Sequence, residues 1–441
     1  GLLLVSSVVA PPAVLVSERR PPAEAPSFSA ETVRTGQFMS KFENYAADSF
    51  AFREGFRTIK AFTAFEIFRQ TDMGGLYMDA TGIGKFERID EKSFRESLRK
   101  LNSFAHGFAK AGESMDGATG RAIGDANTPT ATAGGANLYF AVIPDKSMYA
   151  RHDYPTYDPK IACGLLEDEL QGFQAIDLTD ALGAGDYYRT DLHWDQTRLA
   201  GVVAALDEKM EFGGGGSEAN GSGSEVNGGA LDGYDLSAGV GGVPNGGEIS
   251  VIGGAPDSYE ILTAGKWNGV YAGQLALPVP PDTMRYAENE AVRGAAAKAL
   301  DPNTGEMKPL PIYDKTALTG IDPYNFFLGG PQPLITIENP NAKQRRELYI
   351  CRDSFGSSLA PLLIPYYSKI TLIDFRYIDS RVLPQYITLP SEHEPEQSPQ
   401  NTQGNPSSAG QSTTNPSKPP ADILFLYSPE VLNQPTTLLA G

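Results

Sequence analysis

Apolar positions recur along the chain with two different periods, and the change of period sorts the expected elements. Between residues 28 and 70 they return at helical spacing. Phe38, Phe42 and Tyr45 stand at i, i+4 and i+7, and after an acidic turn Phe52, Phe56 and Ile59 repeat the pattern. An aromatic stripe of this kind predicts helices that bury one face in a core. "GLYMDATGIGKFERID" then reads as a short hairpin with a glycine-containing turn. A further helix is expected over residues 91 to 110, with Phe94, Leu98, Leu101, Phe104 and Phe108 on one face.

Beyond residue 136 the pattern changes to short, continuous apolar runs: "LYFAVIPDK", "FQAIDL" at 173 to 178, "RELYIC" at 346 to 351, "KITLIDF" at 369 to 375 and "DILFLY" at 422 to 427. They are rich in β-branched and aromatic residues and alternate with helical segments at 196 to 211 and 357 to 367. Strands without a polar side belong to a parallel sheet covered on both faces. The expected fold class is therefore α/β: an α/β/α sandwich with a mainly parallel sheet over residues 111 to 441, preceded by a small helical and hairpin region at 28 to 110. Residues 111 to 136 are rich in Gly, Ala and Thr and read as a loop. The tracts at 212 to 248 and 391 to 420 hold too little apolar surface to offset ordering entropy. They read as flexible surface insertions without a functional role, and His393 in the second as solvated.

Composition narrows the function classes. A formal charge of −18 with no basic stripe excludes nucleic acid as a partner. Hydrophobic content of 41% supports a sizeable core, while much of the Gly 47 and Pro 33 lies in the polar tracts. Cys163 and Cys351 form no CxxC and no zinc spacing. They read as two separate small hydrophobes near strands, with one disulfide between them as the alternative. "GLLLVSSVVAPPAVLVSERRPPAEAP" opens on an apolar run, breaks at Pro11-Pro12 and ends in Arg19-Arg20 and a proline-rich linker. Residues 1 to 27 read as the remnant of a membrane anchor and its linker, with the folded part outside the cytoplasm. An apolar tail packed on the domain is the other reading.

The chemistry concentrates in two stretches. In "YRTDLHWDQT" (188–197) an aspartate precedes a histidine by two residues, in a chain with only four histidines. Asp195 is placed to cap the helix beginning at Gln196, by accepting from its first amides. That leaves Asp191 to orient His193, and Trp194 to pack beneath the loop. A serine nucleophile needs such a base, and the base needs a third group to fix its tautomer. "YICRDSFGSSLAPLLIPYY" supplies the serine: a buried strand, a tight turn with Ser354, then a helix. Open α/β sheets place their ligands at such strand ends, and the helix N-terminus offers amides to a developing oxyanion. Ser357 and Ser358 read as first-turn or capping residues. A serine in such a turn is by itself more often a cap than a nucleophile; the separate Asp-x-His shifts the balance. A metal site built from Asp191, His193 and Asp195 with His152 and Asp153 is one alternative, and a polar turn without function is another.

"YYRTDLHWDQTRLAG" together with "RDSFGSSLAPLLIPYYSKITLIDFRYI" resembles the DHHW proteins, relatives of the alginate O-acetyltransferases AlgX and AlgJ, which carry an SGNH-hydrolase-like domain. The likeness extends to "FMSKFENYAADSFAFRE", "GGLYM", "VIPDK", "NFFLGGPQPLITIENP" and "ADILFLYSPEVLN". It implies a Ser-His-Asp triad of Ser354, His193 and Asp191, in the permuted order with serine last. This chain has Leu192 where the name-giving motif has its first His. The alginate enzymes use the second, so Leu192 leaves the base in place and bears on a substrate or structural contact. Candidates for oxyanion or substrate contact are Gly330 in the Gly329-Gly330 turn, Arg352, Lys146 and Tyr188, with surface ion pairing as the alternative for Lys146 and Arg352. The resemblance implies an extracytoplasmic, membrane-anchored O-acetyltransferase that needs no cofactor and acts on a cell-surface or secreted polysaccharide. A membrane-bound O-acyltransferase would supply acetyl groups, because acetyl-CoA is confined to the cytoplasm. An acetylesterase with the same triad, and a polysaccharide-binding or assembly protein with an idle one, are the rival readings.

Overall fold

A strand that is apolar at every position needs cover on both faces, and the helices of this chain are distributed to provide it. The computed structural model describes residues 15, 18–111, 132–133, 136–150, 157–213, 259–342, 344–387 and 421–440. The bulk of the insertions at 212–248 and 391–420 lies outside these residues, as do His152, Asp153 and His393.

The described chain begins with three helices, α1 (Ala30–Arg34), α2 (Gln37–Asp48) and α3 (Arg53–Phe62), the last extended by one π turn. A small antiparallel sheet follows, β1 (Asp72–Met73), β2 (Leu76–Asp79) and β3 (Gly82–Lys85), and then α4 (Glu91–Ala111). The main sheet starts at β4 (Thr132–Ala133) and β5 (Ala136–Val142), continues through α5 (Pro159–Glu169) to β6 (Gln174–Ile176), and leads into α6 (Ala200–Met210). A separate antiparallel pair, β7 (Glu260–Trp267) and β8 (Asp282–Glu288), flanks the short α7 (Val270–Leu275). The chain then returns to the sheet with β9 (Ala296–Leu300), β10 (Met307–Leu310), β11 (Leu334–Glu338) and β12 (Glu347–Arg352). It closes with α8 (Phe355–Leu363), β13 (Lys369–Ile373), β14 (Ala421–Tyr427) and α9 (Pro429–Leu432).

The five strands expected from apolar runs form one parallel block, ordered β6-β5-β14-β12-β13. Period-two alternation divides their side chains between two cores. Phe140, Cys351 and Phe425 face α4, α5 and α9, whereas Ala141, Ile350 and Leu424 face α6 and α8. The antiparallel extension β13-β11-β9-β10 was not anticipated. Its outer strands are short and half-exposed, so they carry no continuous apolar signal. Cys163 on α5 and Cys351 on β12 are free thiols.

Two expectations need correction. The helix at 91 to 111 buries Phe94, Leu98, Leu101, Phe104 and Phe108 against the main sheet, with Phe104 edge-on to Phe375 and Phe425. It covers the α/β core and does not belong to a separate N-terminal region. The aromatic stripe of α3 is inverted: Phe52 is 86% exposed, and Phe56, Ile59 and Phe62 are exposed as well. The packed side of α3 carries the buried Ala61 together with Arg57, whose Nη2 donates to the carbonyl of Gly273, and Thr58, whose Oγ1 donates to that of Ala276. Periodicity reports that a helix is two-faced, not which face meets the protein. Among the described residues no helix is long and apolar enough to cross a membrane.

The two aromatic sets should separate in stability measurements. Phe104→Ala removes a core ring and is expected to lower the unfolding free energy by about 3–5 kcal/mol. Phe56→Ser is expected to stay within about 0.5 kcal/mol of the parent. Urea unfolding of the two variants checks both.

Candidate active site

The residues between Tyr187 and Trp194 form a tight loop closed by a bridge between its ends, with the Tyr188 amide donating to the His193 carbonyl at 3.0 Å. Such a loop exposes backbone polar groups that must find partners when buried. Three distant elements supply them. From the N-terminal hairpin, the Ile83 amide donates to the Arg189 carbonyl at 2.7 Å. Around α7, the Gly269 amide donates to Thr190 Oγ1 at 2.7 Å, and the Tyr271 and Ala272 amides to the Thr190 carbonyl. From β8, Asp282 accepts from the amides of Arg189 and Thr190. The approach is too close for a side chain at two points: a Cβ on Gly82 would stand 2.2 Å from the Arg189 carbonyl oxygen, and one on Gly269 2.1 Å from that of Thr190. Only glycine permits such backbone contact.

Ser354 enters from the other side of the chain. It is separated from β12 by Asp353 alone and occupies the N-cap position of α8. Asp353, buried beside it, accepts from the Phe355 amide through Oδ1 and from the Ser428 amide through Oδ2 at 2.7 Å. The turn is thereby tied to the end of β14, its parallel neighbour.

These two pieces meet in one line of hydrogen bonds. Asp191 Oδ1 stands 2.6 Å from His193 Nδ1 and accepts from the His193 amide, while His193 Nε2 stands 2.8 Å from Ser354 Oγ. Burial on its own raises the Asp191 carboxyl. The His193 ring, the Arg19 guanidinium and the Val270 amide outweigh it and hold the group well below the usual carboxylate range. Asp191 is therefore the anionic end of the line, and it fixes the imidazole tautomer that presents Nε2 to the serine. The Tyr324 ring stacks on the imidazole at 3.6 Å between centroids, with Phe355 tilted against it at 4.7 Å. Ser354 lines a cavity of about 230 Å³ whose walls include Leu192, Arg376, Glu430, Gln434 and Thr437. A larger recess of about 700 Å³ has Arg19, Trp267 and Gly269 on its wall but not Ser354. Of the two, the smaller is the one that reaches Ser354. A serine paired with a base oriented by a carboxylate can carry out acyl transfer.

No protein-family model matches this sequence, and no curated protein matches it. Solved structures do. A DHHW family protein from Eubacterium siraeum aligns over 83% of this chain and 94% of its own, at 16% identity and a TM-score of 0.48. PatB1 from Bacillus cereus, in its structure with a sulfonyl adduct, aligns over 81% of this chain and 95% of its own, at 15% identity and a TM-score of 0.48. The O-acetyltransferase domain of Pseudomonas putida AlgJ aligns over 82% and 92%, at 10% identity and a TM-score of 0.37. The neighbours thus include a DHHW family protein and an AlgJ domain, the groups that the sequence motifs resemble. At such scores they assign no role to any residue.

The remaining expectations divide. Asp195 caps the 3₁₀ turn Gln196–Arg198 through the Thr197 amide and also pairs with Arg285 at 2.7 Å. Of the proposed metal set, Asp195 is therefore committed elsewhere and Asp191 faces His193. Trp194 is fully buried and donates to Ser358 Oγ at 2.8 Å. Ser357 and Ser358 lie in the first turn of α8, with Ser354 at the N-cap, and Ser358 also bonds the Tyr324 hydroxyl.

Four of the contact candidates turn out to be internal. Lys146 is buried and donates to the carbonyls of Ile83 and Tyr188, clamping the loop to the hairpin. Tyr188 is buried with its hydroxyl on the Met284 sulfur at 3.3 Å. Arg352 is fully buried, donates to the Asp353 carbonyl and lies 3.7 Å from Asp374. The arginine on the cavity wall is Arg376, which pairs with the same Asp374. Gly330 donates its amide to the Phe327 carbonyl, and its glycine identity follows from a φ of 78° and a Cβ position 1.9 Å from Asn325 Oδ1. Sequence reading missed Tyr324, whose "DPYNFFLGG" context is indistinguishable from aromatic core.

Burial pushes the Lys146 ammonium down to about 8, against its ordinary 10.5. Between those values the unfolded chain binds more protons at this site than the native one, so its contribution favours folding increasingly as pH rises through the window. Lys146→Met is expected to cost about 2–4 kcal/mol by orphaning buried carbonyls. The gap between parent and variant should widen from pH 8 to pH 10, as read by urea unfolding at several pH values.

Proposed function

We propose that this chain is an extracytoplasmic O-acetyltransferase, built on an SGNH-hydrolase-like domain, that transfers acetyl groups to a polysaccharide hydroxyl through Ser354. The observation that carries the reading is the continuous hydrogen-bonded line from the Asp191 carboxylate through His193 to Ser354 Oγ, opening on a small cavity.

In the first half-reaction Ser354 Oγ attacks the acetyl carbonyl of the donor ester, and its proton passes to His193 Nε2. Asp191 stabilises the imidazolium through Nδ1–H, with no proton transfer to the carboxylate. Collapse of the tetrahedral intermediate expels the donor's alkoxide, which takes the proton from Nε2 and leaves acetyl-Ser354. In the second half an acceptor hydroxyl gives its proton to Nε2 and attacks the acetyl carbon. Collapse then releases Ser354 Oγ, which recovers the proton. The amides of Phe355 and Gly356 are committed to Asp353. The Ser354 amide, beside its own Oγ at the start of α8, is the main-chain donor left to meet the oxyanion.

The cavity fits an acetyl group, with Leu192, Phe355 and Val431 as its apolar walls and Gln434, Glu430 and Arg376 among its polar ones. No cofactor enters the cycle. The acetyl donor would be supplied by a membrane-bound O-acyltransferase. A membrane location is supported by the apolar run of residues 2 to 16 and by the outward aromatic face of α2 and α3, where Met39, Phe42, Phe52, Phe56, Ile59 and Phe62 are exposed. An amphipathic face of this kind suits a bilayer interface.

Incubation with a chromogenic acetate ester should add one acetyl group to the intact mass, and Ser354→Ala should abolish both the adduct and ester cleavage. His193→Ala should lower kcat/KM by about 10³-fold or more. Retention of full activity by both variants would sink the reading. Adding candidate glycans and weighing the products decides the acceptor: acetylated glycan supports the transferase, whereas acetate alone supports an acetylesterase.

A further inference from the structure

We propose that Arg19, on the segment that joins the apolar N-terminal run to the fold, is a positioning residue for Asp191, so that the state of the site depends on how this segment is docked. The proposal rests on the reading of Asp191, His193 and Ser354 as an acyl-transfer site.

Three consecutive residues fasten the segment to three different places. Glu18 pairs with Arg53 and with Arg57, the latter at 3.3 Å. Arg20 makes two bonds of 2.7 Å to the carboxylate of Asp48 at the end of α2. Between them Arg19 reaches inward. Its Nη1 donates to Asp322 at 2.7 Å and its Nη2 to the Asn268 carbonyl at 2.7 Å, with the guanidinium over the Trp267 ring. Nη1 lies 3.6 Å from Asp191 Oδ2. Leu15 is buried, and main-chain bonds between Leu15, Glu18 and Arg20 close the turn. Arg19 itself holds φ at 52°, a left-handed conformation that a residue with a side chain disfavours. Docking therefore holds the backbone where it would not rest by itself, and the result is a cation on the outer edge of the site carboxylate.

The two Asp191 oxygens are thereby divided. Oδ1 serves His193, while Oδ2 takes the Val270 amide at 2.8 Å and the field of Arg19. An arginine here pins the carboxylate and partly neutralises it. Removing the cation leaves a freer and more negative partner for the imidazole, which favours the imidazolium. The other charged or titratable groups around the pair are Lys146, Tyr188, Tyr271, Asp282, Asp322, Asp353 and Tyr324, with Arg376 and Glu430 across the cavity. All of them stay in place in the variants below.

The test uses the full chain and a chromogenic acetate ester, with kcat/KM measured against pH. Arg19→Ala is expected to lower kcat/KM about tenfold at neutral pH, as a small misplacement of a reacting group does. It should also move the acid limb up by about half a pH unit or more. Arg19→Lys should restore the limb but only part of the rate, because a lysine lacks the planar fork. Glu18→Gln, which loosens the segment without touching the site, should move the limb in the same direction by less. An Arg19→Ala profile superimposable on the parent, with Ser354→Ala inactive, overturns the proposal. A shift in Arg19→Ala with none in Glu18→Gln upholds the positioning role and overturns the dependence on docking. Full activity in Ser354→Ala instead removes the underlying site reading, and this proposal with it.

Discussion

A carboxylate stripped of water must be compensated or it will take up a proton, and the centre of this structure is arranged around one such group. Asp191 is fully buried, yet it remains an anion because an imidazole, an amide and a guanidinium all face it. None of these comes from the parallel block of the main sheet. The imidazole belongs to its own loop, the amide to the start of α7 and the guanidinium to the N-terminal segment. The loop that carries Asp191 is itself held by the hairpin at Gly82-Ile83, by Lys146 and by Asp282. Elements that look peripheral in topology are thus the ones that make the buried charge tolerable.

That arrangement explains why so many of the constraining residues are small or internal. Gly82 and Gly269 let two backbones approach the loop to within main-chain hydrogen-bonding distance, where any side chain would collide. Lys146 fills the remaining gap with a donor that spans from the Ile83 carbonyl to that of Tyr188. A buried ammonium is costly, and burial depresses it to about 8. Its retention here is understandable because the carbonyls it satisfies would otherwise be orphaned in the same place.

How much of this could be read from the sequence depended on whether the signal was local. The parallel strands were legible because burial on both faces leaves no polar position in "ILFLY" or "LYIC". The separation of Asp191 from Asp195 was legible too, since an N-cap is a short-range relation. The inverted stripe of α3 was not, because an amphipathic pattern is symmetric with respect to what lies opposite it; the contacts of Arg57 and Thr58 with Gly273 and Ala276 join residues more than 200 positions apart. The same limit misled the reading of Arg352 and Lys146. A charged residue beside a motif has the same sequence appearance whether it faces a ligand or a buried carbonyl. Arg376, two residues after Asp374 and paired with it, is the one whose position reaches the cavity.

The distance between His193 and Ser354 depends on a contact that neither motif announces. His193 and Trp194 are adjacent in the loop; Ser354 and Ser358 are four apart, one turn along the start of α8. His193 Nε2 meets Ser354 Oγ at 2.8 Å, and Trp194 Nε1 meets Ser358 Oγ at 2.8 Å. Residues at i and i+4 lie on the same face of a helix, so neighbouring side chains of the loop grip one helix face at two successive turns. The Tyr324 hydroxyl adds a third bond at Ser358, while its ring lies flat on the imidazole. Two points of attachment fix an orientation where one would fix only a distance. Ser358 therefore aligns the His193 loop with α8 although it never touches the imidazole, and the geometry at Ser354 is set one helical turn away from it.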